Sequence, residues 1–301
     1  MTPKDFLNFI RWKNVIMILL IMILIKFVLF EKIELNMALD KAHYALLVLS
    51  TICVAIAGYI INDVYDVVAD KINKPDRLYV GRKISRSSAY NLFIGFNSVG
   101  LLIGMYLSYH VRHTSYFIIY VITSLLLYQY AKYLKKKFLI GNILVSLVVF
   151  LSIILPVVFD LLPVTNALNE GTQLVALKLV VLFGLFGFLL TFLREVVKDL
   201  EDQKGDSALG ARTVPIAVGV NKTKALVTSV SVLLIFAVIF FAYMLIGRNL
   251  YASVYLSIFV VLPLIYFILD LWKAQDRKQF RRSSAILKII MVLGTLTLLL
   301  I

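Results

Sequence analysis

The sequence is poor in the residues that most often build disulfides and soft-metal sites. It has one cysteine, Cys53, in 301 residues, so neither an intrachain disulfide nor a cysteine-based metal site is possible. Its three histidines, His43, His110 and His113, fall near the predicted outer loops, and we interpret them as surface or interfacial residues. Acidic residues number only 17 against 31 Lys and Arg, so any cluster of acids is informative.

Charge of either sign is scarce, since charged residues make up 16% of the chain and hydrophobic residues 61%. This composition excludes a soluble globular protein. A membrane-spanning helix needs about 20 mostly apolar residues, and nine segments meet this requirement. They run roughly from Asn14 to Phe30, His43 to Val64, Ser87 to Tyr109, Ser115 to Leu134, Phe138 to Phe159, Gln173 to Val197, Lys222 to Ile246, Tyr251 to Trp272 and Ser283 to Ile301. We therefore predict an all-α polytopic membrane protein with nine transmembrane helices, in a single domain over residues 1–301.

The basic residues predict how these helices are oriented, because cytoplasmic loops carry an excess of Lys and Arg. With the N-terminus inside, the outer loops hold only Lys32, Lys41, Arg112 and Arg248. The spans hold Lys26, Lys178, Arg194 and Lys288, whose side chains are expected to snorkel towards an interface. We predict a multi-pass protein of the cell inner membrane with a cytoplasmic N-terminus and an outer C-terminus. The same bias explains most of the net charge of +14, so nucleic acid is not an expected partner.

Two acidic clusters with the same spacing stand where long apolar runs end. They are Asn62-Asp63-x-x-Asp66-x-x-x-Asp70 and Lys198-Asp199-x-x-Asp202-x-x-x-Asp206. At about 100° per residue, offsets of 0, 3 and 7 place three carboxylates within roughly 60° of one helical face. Carboxylates held together repel one another, so each cluster predicts a bound cation. Mg²⁺ is usually bound by one or two carboxylates together with substrate phosphates, so two clusters suggest ions that hold one diphosphate.

Basic residues near the clusters fit a phosphate-bearing substrate. Those able to donate to phosphate oxygens are Lys74, Arg77, Arg82, Lys83, Arg194, Lys198 and Lys204. Asp and Asn at helix ends also serve as caps, and charges in loops are often only solvated. Six Asp in two equally spaced clusters, in a chain with 17 acidic residues, favour a functional site over that interpretation.

The first cluster continues as Asp70-Lys71-Ile72-Asn73-Lys74-Pro75-Asp76-Arg77, and here the sequence resembles the UbiA superfamily of intramembrane prenyltransferases. Members carry an NDxxDxxxD stretch with an Asn-Lys-Pro-x-Arg-like loop after helix 2, and a second Asp-rich motif after helix 6. The resemblance extends to Ile10-Arg11-Trp12-Lys13-Asn14, Gly141-Asn142 and Thr213-Val214-Pro215. It departs at Leu78-Tyr79-Val80-Gly81-Arg82, where many relatives have Pro-x-Pro-Ser-Gly, so the loop near the acceptor is expected to differ.

The resemblance implies a barrel of nine helices around a central cavity that opens to the cytoplasmic side. It also implies Mg²⁺-dependent transfer of a prenyl group from a prenyl diphosphate to a lipophilic or phosphate-bearing acceptor. By position, the metal ligands would be Asp63, Asp66, Asp70, Asp199, Asp202 and Asp206. By position Lys74 and Arg77 would contact the diphosphate, and the predicted substrate-binding residues also include the nearby Arg82, Arg194, Lys198 and Lys204.

The catalytic residues that the resemblance implies are Asn62, Asp66, Asp202 and a Tyr and Lys pair after helix 4. Tyr130 and Lys135 fit the pair when counted back from Gly141-Asn142. Tyr128 and Lys132 give a spacing of four, so both pairs stay open.

The acceptor is predicted from the second motif. The stretch from Arg194 to Asp206 looks most like the branch that prenylates prenylglyceryl phosphate in ether-lipid synthesis. Members that act on homogentisate or chlorophyllide share part of the pattern, so an aromatic acceptor is the alternative. A secondary transporter is the alternative from another class, and it predicts acids near the bilayer midplane rather than at helix ends. The sequence makes no prediction of oligomeric state.

Overall fold

The computed structural model describes residues 1–73, 75 and 78–301. These residues form two compact units. The first unit comprises Met1–Lys135 and Leu151–Leu182, and the second comprises Lys136–Phe150 and Phe183–Ile301. The predicted single domain over residues 1–301, and its central cavity open to the cytoplasmic side, stay predictions.

Regular structure within the described ranges is helical, and the only β feature there is one isolated bridge between Val80 and Ile84. The helices are α1 (Pro3–Phe9), α2 (Trp12–Leu24), α3 (Lys41–Tyr65), α4 (Val67–Asn73), α5 (Arg86–His110), α6 (Phe117–Lys132), α7 (Ile140–Pro156), α8 (Glu170–Ala208), α9 (Val214–Val218), α10 (Val220–Leu245), α11 (Leu250–Leu256), α12 (Leu262–Lys273) and α13 (Arg277–Leu296). Turns of π-helix follow α2, α7 and α11 over Ile25–Phe30, Val157–Leu161 and Ser257–Val261.

Nine helical stretches of the described chain are long and apolar enough to cross a membrane. They are Trp12–Phe30, Lys41–Tyr65, Arg86–His110, Thr114–Lys132, Ile140–Val164, Glu170–Ala208, Val220–Leu245, Leu250–Lys273 and Arg277–Leu299. The predicted class, an all-α integral membrane protein with nine spans, is confirmed. The bounds differ most at the sixth stretch, which continues well past the predicted end at Val197.

Close helix packing in the first unit depends on small residues. A Cβ atom on Gly104 of α5 would lie 2.6 Å from the Tyr120 ring of α6, and one on Gly100 would lie 2.7 Å from Cγ2 of Val54 in α3. Membrane helices gain little from the hydrophobic effect against lipid, so close van der Waals contact across small residues stabilises such packing.

A short helix precedes the first span and is tied to the loop after the first motif. Thr2 and Asp5 form a capping box at the start of α1. Lys83 donates to Oδ1 of Asp5 at 2.6 Å. The hydrogen bond from Lys83 lowers the pKa of Asp5 from 3.8 to about 2, with a further contribution from Thr2. Lys83 therefore joins the loop after the first motif to α1 in this structure.

Lys26 does not snorkel as predicted, because it forms a buried ion pair in the first unit. Its ammonium lies 2.7 Å from Oδ2 of Asp160 and 2.6 Å from the carbonyl oxygen of Leu39. The side chains of Lys26 and Asp160 are 3% and 0% exposed. The other carboxylate oxygen accepts the backbone N–H of Leu39 at 2.8 Å. These contacts join the π-helical turns after α2 and α7 to the loop before α3. Each charge needs the other, because neither side chain reaches solvent.

The second unit has its own apolar core, built from α8, α10, α12 and α13. The turn between α12 and α13 is held by buried polar contacts. Lys224 of α10 donates to the carbonyl oxygens of Ala274 and Trp272 at 2.5 and 3.3 Å. Asp276 and Gln279 then form a capping box at the start of α13. These contacts fix where α13 begins, next to the second motif.

Candidate active site

The first motif straddles a break between two helices. Asp63 lies in the last turn of α3, and Asp66 is the residue at which that helix ends, with φ of −89° and ψ of 1°. Helix α4 then starts at Val67 and carries Asp70, whose backbone N–H donates to the carbonyl oxygen of Asp66 at 2.8 Å. The spacing of the three aspartates predicted one continuous helical face and not this break.

Basic and amide side chains hold the carboxylates of the first motif. Arg11 donates to Oδ1 of Asp63 at 2.8 Å. Asn62 donates its amide N–H to Oδ2 of Asp66 at 2.7 Å, and Lys135 forms an ion pair with Oδ1 of the same residue. Lys135 also lies 3.3 Å from Oδ1 of Asn62. Asp63 and Asp66 are close enough to repel each other, so these three donors offset concentrated negative charge.

The contacts distinguish the two lysines that the sequence left open. Lys135 reaches the first motif, as described above. Lys132 lies instead over the rings of Tyr128 and Tyr133, at 5.9 and 4.8 Å from their centroids. Tyr128 shares a hydrogen bond of 3.0 Å with the hydroxyl of Tyr65. The geometry favours Lys135 over Lys132 as the lysine of the motif.

The second motif lies inside α8 rather than in a loop. The predicted sixth span ends at Val197, but α8 continues to Ala208 and ends before Gly210, which has a φ of +66°. A glycine in this left-handed conformation is a common helix terminator. The three aspartates of the motif are therefore carried on continuous helix.

Partners from the second unit hold the acids of this motif. The amide of Asn142 donates to Oδ2 of Asp199 at 2.9 Å. Oδ1 of Asp202 lies 3.6 Å from Nη2 of Arg277, within ion-pair distance. Asp206 is close enough to Asp199 for their charges to repel. As in the first motif, side chains distant in the sequence lie against the carboxylates of the second motif.

The predicted phosphate-binding residues have different surroundings. Arg194 and Lys198 both contact Glu195, at 3.0 and 2.9 Å from its Oε1. Lys204 is exposed on α8, and Arg82 donates to the carbonyl oxygen of Pro75 at 3.1 Å. The predictions for Lys74 and Arg77 lie outside the described residues. All the predicted metal-ligand, catalytic and substrate-binding roles stay predictions, those of Tyr130, Asp70 and Asp206 included.

Three residues of the site were not predicted to contact the motifs: Arg11, Asn142 and Arg277. Arg11 and Asn142 stand in stretches that carried the family resemblance, which gave them no role. Arg11 has a φ of 55°, a backbone conformation that is costly for an arginine and often marks a functional position. Arg277 gave no local signal, since it is one of several basic residues in an inner turn.

The donor set fits a hard divalent cation. It consists of aspartate oxygens, with the amide oxygen of Asn62 beside those of the first motif, and such oxygens suit Mg²⁺ rather than a thiol- or imidazole-binding metal. Within the described ranges, no three acidic, histidine or cysteine side chains converge closely enough to hold a metal as they stand. Lysine and arginine pair with several of the carboxylates instead, and they would have to give way to an ion.

Known proteins are similar to this chain in sequence and in fold. The pattern of the UbiA prenyltransferase family matches residues 33–292. A protein of Korarchaeum cryptofilum named digeranylgeranylglyceryl phosphate synthase is 34% identical over 254 residues, 82% of this chain and 81% of that protein. A protein of the same name from Sulfurisphaera tokodaii is 36% identical over 258 residues, 86% of this chain and 84% of that protein.

Two solved structures also resemble this chain. One, described as concerning digeranylgeranylglyceryl phosphate synthase in membranes, is 27% identical, has a TM-score of 0.65 and covers 98% of this chain and 96% of its own. The other, a UbiA homologue from Archaeoglobus fulgidus bound to GPP and Mg²⁺, is 13% identical with a TM-score of 0.61 and covers 98% and 99%. Together with the helices and the paired acidic motifs, these matches define an intramembrane prenyltransferase. The chain belongs to the UbiA prenyltransferase family.

Proposed function

We propose that this enzyme transfers a prenyl group from a polyprenyl diphosphate to a prenylglyceryl phosphate at the membrane, with Mg²⁺ as cofactor. The observation that carries the proposal is the similarity, at 34% and 36% identity over most of both lengths, to two proteins named digeranylgeranylglyceryl phosphate synthase. The carboxylates of the two motifs support it, since metal ions bound by them would supply the positive charge that a diphosphate donor needs.

The chemistry begins at the allylic carbon of the donor. Its C–O bond to the diphosphate breaks, a hydroxyl oxygen of the acceptor forms a new C–O bond, and the hydroxyl proton leaves with pyrophosphate or solvent. Metal ions bound by the motif carboxylates would supply positive charge for the departing diphosphate.

Side chains of this protein prepare that site. Asn62 and Lys135 orient Asp66, Arg11 orients Asp63, and Asn142 orients Asp199. With a cation bound at Asp66, the ammonium of Lys135 would be free to donate to a phosphate oxygen.

The location of the site is part of the proposal. The excess of Lys and Arg in the predicted inner segments supports a cytoplasmic N-terminus, with both acidic motifs on the same side and the C-terminus outside. There the donor's diphosphate would sit among basic residues, while its prenyl chain lies among the apolar helices.

The direct test is turnover by purified protein in lipid nanodiscs with Mg²⁺ and geranylgeranyl diphosphate. Geranylgeranylglyceryl phosphate and an aromatic acid are offered in separate reactions, and mass spectrometry identifies the product. We expect the ether product with the phosphate acceptor alone. A product formed only from the aromatic acid would overturn the proposed acceptor, and uptake into proteoliposomes without covalent change would indicate a transporter.

Variants connect turnover to the motifs. Asp66→Asn and Asp202→Asn each remove one carboxylate charge, and we expect a loss of turnover of at least about 100-fold, because each takes away a predicted metal ligand. Asp40→Asn is the control, since Asp40 is an exposed cap at the start of α3. Unchanged turnover in both motif variants would contradict the mechanism.

A further inference from the structure

Arg277 reaches the second motif from the start of α13. Its Nη2 lies 3.6 Å from Oδ1 of Asp202 and 3.8 Å from Oε1 of Glu201. Both distances are within reach of charge attraction but too long for a hydrogen bond. Its side chain is 37% exposed, so the guanidinium is at the edge of the protein interior.

One edge of this guanidinium makes no hydrogen bond. Nε and Nη2 of Arg277 are closed off from solvent and have no hydrogen-bond partner among the described residues. These two nitrogens form the side-on donor pair of an arginine, a planar fork that matches two oxygens of a carboxylate or a phosphate. Buried donors without acceptors cost free energy, so the arrangement is more favourable when an oxygen ligand fills the fork.

The neighbouring acids do not fill it. Glu201 already accepts a hydrogen bond of 2.9 Å from Nε of Arg281. Asp202 is a predicted metal ligand, and a bound cation would draw its carboxylate away from arginine. The turn held by Lys224 and the capping box of Asp276 keep the backbone of Arg277 in place. A fork that makes no hydrogen bond, on a backbone held beside a metal motif, is suited to an anion that arrives with the metal.

We propose that Arg277 is a substrate-binding residue that grips a phosphate group at the second motif. The inference rests on the proposed function, because that function supplies the phosphate. The chemistry it recognises is a phosphate oxyanion, which either the donor's diphosphate or the acceptor's phosphomonoester can present. The fork would donate to two phosphate oxygens in place of its longer contacts with Asp202 and Glu201.

Binding measurements test the proposal without turnover. Purified Arg277→Gln and Arg277→Lys are titrated with inorganic pyrophosphate plus Mg²⁺, and separately with glycerol 1-phosphate, by calorimetry. We expect Arg277→Gln to weaken one of the two probes by about tenfold or more, and the probe that weakens identifies the source of the phosphate. Arg277→Lys should restore binding only in part, because an ammonium keeps the charge without the fork.

Lys278→Gln is the matched control. Lys278 is exposed, follows Arg277 on the same helix and carries the same charge, so its removal changes the local field without touching the fork. We expect it to bind both probes within about twofold of the unaltered protein.

The outcomes separate this inference from the proposed function. Binding of both probes by Arg277→Gln within twofold of the unaltered protein would overturn the inference, as would an equal loss in Lys278→Gln. If Arg277→Gln does not fold, Arg277→Lys decides, and unchanged binding and KM in that variant count against the fork. Failure of the unaltered enzyme to form product, with the binding loss still present, would overturn the proposed reaction alone.

Discussion

The ion pair between Lys26 and Asp160 gives the sharpest prediction about stability. Replacing Lys26 with Met removes the cation and leaves a carboxylate with 0% exposure in the interior of the first unit. It also removes the donor to the carbonyl oxygen of Leu39. Removal of one partner from a buried pair typically costs about 3–5 kcal/mol, because the remaining charge stays desolvated.

The double variant Lys26→Met with Asp160→Asn isolates the electrostatic part. An asparagine oxygen can still accept the backbone N–H of Leu39, which now donates to Asp160 at 2.8 Å, and no charge is left buried. Replacing both members of a buried ion pair by uncharged side chains often changes the free energy of unfolding only slightly. We therefore expect the double variant to be more stable than Lys26→Met, with a coupling of about 2 kcal/mol.

The single cysteine provides the assay. Cys53 is buried in α3 and reacts with a thiol-specific dye only after the unit opens. Unfolding in mixed detergent and SDS micelles is followed by that reaction and by helix content. Lys178→Met is the control, because Lys178 is an exposed lysine inside a span. It should change stability by less than about 0.5 kcal/mol.

Two results would refute the reasoning. One is a Lys26→Met protein as stable as the Lys178→Met control. The other is a double variant whose loss equals the sum of the two single losses, which would show that the two charges do not interact.

Three further predictions concern the site and the packing. Lys135→Met should lower turnover about 100-fold while Lys132→Met lowers it less than about threefold, because only Lys135 contacts the first motif; equal losses would contradict this. Asn142→Ala should raise the Mg²⁺ concentration needed for half-maximal turnover about tenfold, since partners that orient metal ligands typically affect affinity by that amount; an unchanged magnesium titration would contradict the role. Gly104→Ala should lower the melting temperature because its new methyl group meets an aromatic ring at 2.6 Å, whereas Gly95→Ala on the same helix meets nothing within 4 Å and should raise it or leave it unchanged; a thermal scan that ranks them in the opposite order would count against this packing.

Two features of the site show where prediction from sequence stops. Residue type and spacing identified the acidic motifs, and they left two candidates, Lys135 and Lys132, for the lysine of the Tyr and Lys pair after helix 4. The contact with Asp66 favours Lys135, a preference that spacing alone could not supply because the two candidates lie close together in the sequence. The end of α8 was placed too early because loss of apolar character marks the edge of the bilayer, and a helix can continue beyond that edge.

The sequence by itself determined the nine spans, because each helix must satisfy its own backbone in lipid, and a local run of apolar residues is sufficient for that. It also determined the composition of the two acidic motifs. Only the tertiary structure decided which side chains meet them. Arg11 lies 52 residues from Asp63, Asn142 lies 57 from Asp199, and Lys26 lies 134 from Asp160. Contacts over such separations depend on how helices pack, and hydropathy along one segment carries no information about the partner it packs against.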